Sequence, residues 1–201
     1  ESIRQKLSLN AVALQLPIGT ESNFSGVIDL LTMKAISFQG DFGDIVKEEE
    51  IQKDLKEKAE KARRELVEKI VSEDEKLMEK YLAGKESSID ELRTVLRKAT
   101  INNRLIPVFA GSALKNKGVQ PLLDGVVYYF PSPLDLPKVK GTDPDDGKAI
   151  EIEPKDEMPL AALAFKVASD PYVGTLTYFR IYSGHLTKGS YVLNSITGEK
   201  E

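Results

Sequence analysis

Pro107-Val108-Phe109-Ala110-Gly111-Ser112-Ala113-Leu114-Lys115-Asn116-Lys117-Gly118-Val119-Gln120 runs an apolar segment into three tiny residues and then towards a helix. Leu105–Ala110 predicts a hydrophobic strand, and Val119–Phe130, with Leu122, Leu123, Val126 and Val127 apolar, predicts a helix. Pro131 and Pro133 end that helix, because proline lacks the N–H donor and restrains its predecessor. In open α/β sheets, ligands sit beyond the carboxyl ends of strands, where such a loop lies. Small side chains at Gly111, Ser112 and Ala113 let backbone N–H groups approach a planar ligand edge. From the triplet alone, a plain strand–turn–helix junction is an equal reading.

Upstream of this stretch the hydrophobic period is helical. Ile51, Leu55, Ala59, Ala62, Leu66 and Ile70 recur every three or four residues, with Lys, Glu and Arg between them. Ser72 with Glu75, and Ser88 with Glu91, have capping-box spacing. The first opens a helix carrying Leu77, Met78, Tyr81 and Leu82 that stops at Gly84, and the second opens one carrying Leu92, Val95, Leu96 and Ala99. Residues 48–102 therefore predict three helices in series. Before them, Ala11–Leu16, Gly26–Leu30 and Lys34–Phe38 read as strands, with a turn at 40–44. Residues 1–8 read as the tail of a helix.

Downstream, 134–157 is rich in proline and acids and reads as a linker. Leu160–Ala168, Thr175–Tyr182 and Tyr191–Leu193 are β-branched and aromatic, which suggests an antiparallel barrel or sandwich. Both ends of the sequence read as cut from something longer.

Composition narrows the chemistry. The 201 residues hold no cysteine, which removes disulfides, thiolate metal sites and cysteine nucleophiles. One histidine, His185, leaves no His-based metal cluster, and its predicted turn makes it an exposed residue. A net charge of −4 argues against wholesale coating of nucleic acid, and no apolar run is long enough to cross a bilayer. No G-x-x-x-x-G-K-[ST] phosphate loop and no Asn-Lys-x-Asp motif occur; Asn116-Lys117 continues as Gly118-Val119.

GSALKNKGVQPLLDGVVYYFPSPLDLP (111–137) resembles the last guanine-contact loop and following helix of translational GTPases, most closely of the elongation factor G family. LQLPIGTESNFSGVIDLLTMKAISF (14–38) resembles the strands that open the insert in that family's GTPase domain, and EKYLAGKESSIDELRTVLRKATI (79–101) its later helices. MPLAALAFKVASDPYVGTLTYFRIYSGHLTKGSYVLNS (158–195) resembles the start of its β-barrel second domain. The resemblance thus implies an α/β chain, the end of a P-loop-type GTPase domain, with an α+β insert and the beginning of an antiparallel β-barrel. Its divisions are 1–9, the end of a GTPase-domain helix; 10–102, the insert; 103–134, the last strand, guanine loop and helix. A linker at 135–157 and the first part of domain II at 158–201 complete the chain.

By the same resemblance, Ser112 and Ala113 form the loop over guanine, with the Ala113 N–H aimed at O6, and Leu114 walls the base. The insert meets the acidic ribosomal stalk protein, with Lys61, Arg63 and Arg64 as candidates for its positive side. Domain II meets ribosomal RNA, with Arg180 or Lys188 as candidate phosphate contacts. The whole protein is implied to be a cytoplasmic GTPase that uses GTP or GDP with Mg to drive translocation of tRNA and mRNA. The chain alone is expected to be catalytically silent, with no catalytic or metal residue, no bound cofactor, and neither DNA nor membrane as partner. The alternatives are a ribosome protection protein or other ribosome-directed GTPase of similar build, and a free-standing module for a ribosomal stalk protein.

Overall fold

The computed structural model describes residues 2–6, 10–40, 43–143 and 147–201. It is a mixed α/β chain of two compact units, Glu1–Phe130 and Pro131–Glu201. Within the first unit, helix α1 (Ser2–Lys6) falls where a helical tail is expected, while residues 1 and 7–9 of that expectation lie outside the described residues.

The apolar run 11–16 is two strands and not one. β1 (Ala11–Ala13) pairs in parallel with β6 (Ile106–Val108), and β2 (Gln15–Ile18) opens an antiparallel meander with β3 (Gly26–Asp29), β4 (Lys34–Gln39) and β5 (Ile45–Glu49). Leu14 is the hand-over point. Its N–H donates to the Val108 carbonyl at 3.0 Å, and its own carbonyl accepts from Leu30 N–H at 2.9 Å. Asp29 closes the β3–β4 turn by accepting from the N–H groups of Leu31 and Thr32. β5 occupies 45–49 and so takes the first two residues of the expected helical region 48–102. Its side chains are all exposed, and Lys47, Glu48 and Glu49 charge this edge strand against pairing with other chains. Of the expected turn at 40–44, residues 41 and 42 lie outside the described residues.

Three helices follow, as the period requires: α2 (Lys53–Val71), α3 (Glu75–Leu82) and α4 (Ile89–Ile101). Ala59, Leu66 and Ile70 of the predicted stripe are buried, while Ile51, Leu55 and Ala62 are half-buried against the same core. The expected Ser72 cap is displaced. Ser72 stays helical as the last cap of α2, and Asp74, in extended backbone, accepts from Leu77 N–H at 3.0 Å to start α3. Asp is as good a cap as Ser, and it sits one residue from Glu75. α3 ends in paired bonds, Gly84 N–H to Tyr81 O and Lys85 N–H to Lys80 O.

The second capping box forms as expected. Ser88 N–H donates to Glu91 Oε2 at 2.7 Å and Glu91 N–H to Ser88 Oγ at 3.2 Å. Lys80 of α3 reaches the same carboxylate at 2.8 Å, so α4's start is also tied to its predecessor. The Lys80 ammonium first, then the Ser88 N–H and hydroxyl, hold the Glu91 carboxyl at about 2. A carboxyl lowered on folding contributes stability above its unfolded value, near 4.5, and loses it as pH falls towards 2. Glu91→Gln is therefore expected to melt below the parent at neutral pH, with the gap closing on acidification through that window. Equal melting at pH 7 would remove this role from Glu91.

α4 packs against both α2 and α5 (Val119–Tyr129). Arg97 of α4 donates from Nη1 to the carbonyls of Tyr128 and Phe130 at 2.9 and 3.1 Å, satisfying the exposed end of α5. The Arg93 guanidinium lies 4.6 Å from the centre of the Tyr128 ring. Tyr129 is buried in the core, and burial pushes its hydroxyl up to about 12. Gly125 meets the Phe109 ring so closely that a Cβ would sit 2.3 Å from Cζ. Leu122, Leu123, Val126 and Val127, the apolar residues of the predicted helix, are exposed, Val127 at 77%.

The second unit departs from the expected linker. It contains a hairpin of β7 (Val139–Thr142) and β8 (Ala149–Ile152), clamped by Lys138 between Glu151 and Glu153. Residues 144–146 lie outside the described residues. β9 (Ala161–Asp170) and β10 (Gly174–Ser183) form a long antiparallel hairpin with a bulge between Tyr178 and Phe179. The third expected strand is not part of that sheet: Leu193 bridges Lys200 in a short hairpin of its own, and Asn194 accepts from Ile196 and Thr197 within its turn.

Candidate functional site

The parallel β1–β6 pair aims the chain into residues 109–118, as the strand–loop–helix reading requires. Gln15 fixes the exit: its Oε1 accepts from Ala110 N–H at 3.1 Å. The chain then does not run straight into α5. Ser112 and Lys117 exchange backbone hydrogen bonds of 2.9 and 3.0 Å, and Asn116 N–H donates to the Ala113 carbonyl at 3.1 Å. These bonds make a miniature hairpin whose tip is 113–116. Asn116 (φ +50°) and Gly118 (φ +86°) supply its left-handed backbone, and a Cβ at Gly118 would also lie 2.9 Å from Ala110 O.

Ser112 is half-buried at the root of this hairpin, while Ala113 and Leu114 stand at its exposed edge. Leu114 is 97% exposed at the hairpin tip. Among the described residues the Ala113 N–H has no acceptor, so a donor stands at the surface beside an apolar side chain. That pairing suits a flat heterocycle with an acceptor on its edge.

Contacts distant in sequence fasten the hairpin to the meander. Lys115 Nζ donates to Ser22 O at 2.8 Å, and Gln120 Nε2 donates to Gly43 O at 3.2 Å. Gly43, buried and at φ +62°, approaches so closely that a Cβ would sit 2.5 Å from Asn116 O. Neither Lys115 nor Gln120 is marked in the sequence as a tether, because their acceptors are backbone carbonyls. Gly43 carries a faint signal as a glycine in a predicted turn.

The three basic residues of α2 divide. Arg63 is half-buried and donates from Nη1 to the carbonyls of Leu30, at 2.7 Å, and Leu31, so its guanidinium is engaged within the fold. Lys61 and Arg64 are exposed. Arg64 borders a hollow of about 270 Å³ between α2, α3 and α4, together with Tyr81, Lys85 and Leu92. Tyr81 donates to Glu68 Oε1 at 3.2 Å there.

In the second unit Arg180 is exposed, its guanidinium 5.5 Å from the Tyr182 ring, and Lys188 is exposed in a turn. Tyr178 and Phe179 are exposed on the hairpin. His185 is exposed, with Nδ1 3.2 Å from Asp156 O.

No family model matches the chain. It is 51% identical over all 201 residues to elongation factor G of Thermotoga petrophila and of Thermotoga maritima, and 52% identical to that of Thermotoga neapolitana. The chain spans 29% of the length of each of these curated relatives. A crystal structure of a Thermus thermophilus protein superposes with a TM-score of 0.71 at 28% identity, covering 96% of this chain and 26% of that one. Over its whole length, then, this chain is homologous to a segment of elongation factor G.

Proposed function

We propose that the chain works as part of a GTP-driven factor that moves tRNA and mRNA on the ribosome, and that its 111–118 hairpin reads the guanine base. The observation that supports this is the hairpin itself: an Ala113 N–H with no acceptor among the described residues and an exposed Leu114, at the carboxyl end of a parallel strand. A donor aimed at O6 favours guanine over adenine, whose amino group would meet it donor to donor. An unpaired buried polar group discriminates in a way apolar contacts do not. GTP or GDP would thus meet this chain at its base only, with phosphates and Mg held elsewhere in the factor. The chain alone turns nothing over. In this reading 103–134 ends a P-loop-type GTPase domain, 10–102 is its insert, and 158–201 begins an antiparallel barrel. The factor acts in the cytoplasm.

On the ribosome, the insert would meet the stalk protein through Lys61 and Arg64, and Arg180 or Lys188 would meet RNA phosphates. In an elongation factor G carrying this chain as its corresponding segment, Arg64→Glu is expected to slow ribosome-stimulated GTP hydrolysis at low salt. Nucleotide affinity should not change. Exposed charges act on association, so the defect should fade as the Debye length shrinks from about 30 Å at 0.01 M to about 10 Å at 0.1 M. Arg63→Met is the contrast: it strands two carbonyls and should cost about 1–3 kcal/mol of stability. Unchanged stimulated turnover of Arg64→Glu at low salt would remove α2's basic edge as the contact.

A further inference from the structure

The miniature hairpin is fixed internally and joined to the fold at two glycines. The Ser112–Lys117 bonds set its shape, yet they say nothing about its direction relative to the sheets. It joins the body of the fold at Gly111 and Gly118, where a Cβ on either glycine would sit within 3 Å of opposing backbone. The contacts that fix the direction of its tip come from chain segments far away. Lys115, on the tip, is held by the carbonyl of Ser22, in the 3-10 turn Glu21–Asn23 between β2 and β3. Gln120, in the first turn of α5 and so beyond the hairpin itself, donates to the carbonyl of Gly43, just before β5, and acts on the hairpin through that residue. Gly43 itself lies against Asn116, where any side chain would push the hairpin outward.

Resting on the reading of 111–118 as the base-contacting loop, we propose that Lys115 and Gln120 are positioning residues. They hold the Ala113 N–H on the line of the base's O6, so the β2–β5 meander tunes the O6 contact, one part of the site's preference for guanine. Hydrogen bonds weaken steeply with misalignment, and a positioned donor about 1 Å out of place loses most of its selectivity. The coupling is reciprocal: a partner that shifts the Glu21–Asn23 turn alters base recognition, and a bound base stiffens that turn.

The test uses elongation factor G carrying this chain as its corresponding segment, with Lys115→Met, Gln120→Leu and Gly43→Ala made singly. Calorimetry compares GDP with 2,6-diaminopurine riboside diphosphate, which replaces O6 by an amino group, loses the N1 proton and keeps the 2-amino group; each variant's ratio is read against the parent's, so the N1 difference cancels. Each variant should weaken GDP about fivefold or more and change the analogue by less than about twofold, so the ratio collapses. A merely structural role would lower melting, or weaken both nucleotides equally, and either result with the ratio intact overturns the proposal. Lys115 is exposed, so Lys115→Met keeps the test open should Gly43→Ala not fold. Ala113→Leu separates the two readings. If it leaves GDP binding unchanged, the hairpin is not the base loop. If it weakens GDP while the Lys115, Gln120 and Gly43 variants keep the ratio, the base loop stands and the positioning role falls.

Discussion

Leu96→Ala should lower the stability of the first unit by about 2–5 kcal/mol, the usual range for emptying a fully buried leucine site. Leu96 is 0% exposed, in a core that also holds Ile28, Leu30, Ile70 and Leu92. It lies on α4, the helix that packs on both α2 and α5, and it is wholly enclosed, so the deleted carbons leave a closed void. Relaxation of one helix cannot fill a void bounded by several, which places the cost towards the upper part of the range. Typical domains hold only about 5–15 kcal/mol in total, so this is a large share. Far-UV circular dichroism is the fitting measurement, because all α-helices among the described residues lie in the first unit. Leu82→Ala serves as the matched comparison: Leu82 is 77% exposed at the end of α3, and its loss should stay within about 0.5 kcal/mol. Equal shifts for the two variants would mean that α4 does not sit at the centre of the core.

The contrast between Leu96 and Leu82 also shows what a sequence carries and what it does not. Both leucines fall at helical spacing in their segments, and periodicity alone assigns them alike. Burial differs because α4 is covered on two sides while the end of α3 turns outward at Gly84. The helices and the Ser88–Glu91 box were legible because each depends on residues within one or two turns. Ser72 was misread for a local reason, since Asp74 competes for the same role two residues later. The break at Leu14 was illegible because its cause is distant: β1 takes its partner from β6, more than 90 residues away, and nothing in AVALQL marks a change of sheet. The β7–β8 hairpin hid in a proline-rich composition that averages over its short alternating strands. At the candidate site, Gly111, Ser112 and Ala113 stood out by their smallness and by the family resemblance. The tethers Lys115 and Gln120 did not, because a backbone carbonyl acceptor leaves no signature in the residue that carries it.

The isolated chain should bind neither GDP nor GTP saturably at millimolar concentration. A millimolar dissociation constant corresponds to about −4 kcal/mol, and that surplus must remain after association costs of at least about 4 kcal/mol. The gross interaction therefore has to reach about 8 kcal/mol. The hairpin offers one backbone donor at Ala113, worth about 1 kcal/mol net as an ordinary hydrogen bond, and one flank of apolar contact from Leu114. Leu114 stands almost wholly in solvent, so it covers one face of a base at most and leaves the other wet. The larger part of a nucleotide's binding energy resides in its phosphates, which need a cradle of backbone N–H groups and a lysine. This sequence contains no phosphate loop of that form. The nearest cations, Lys115 and Lys117, do not replace one: Lys115 is committed to Ser22 O, and a lone surface ammonium is strongly screened. Titration calorimetry of the chain with GDP should accordingly give only heats of dilution. A saturable isotherm at or below millimolar GDP would show that the chain holds a phosphate site of its own, and the division of labour proposed for it would fall.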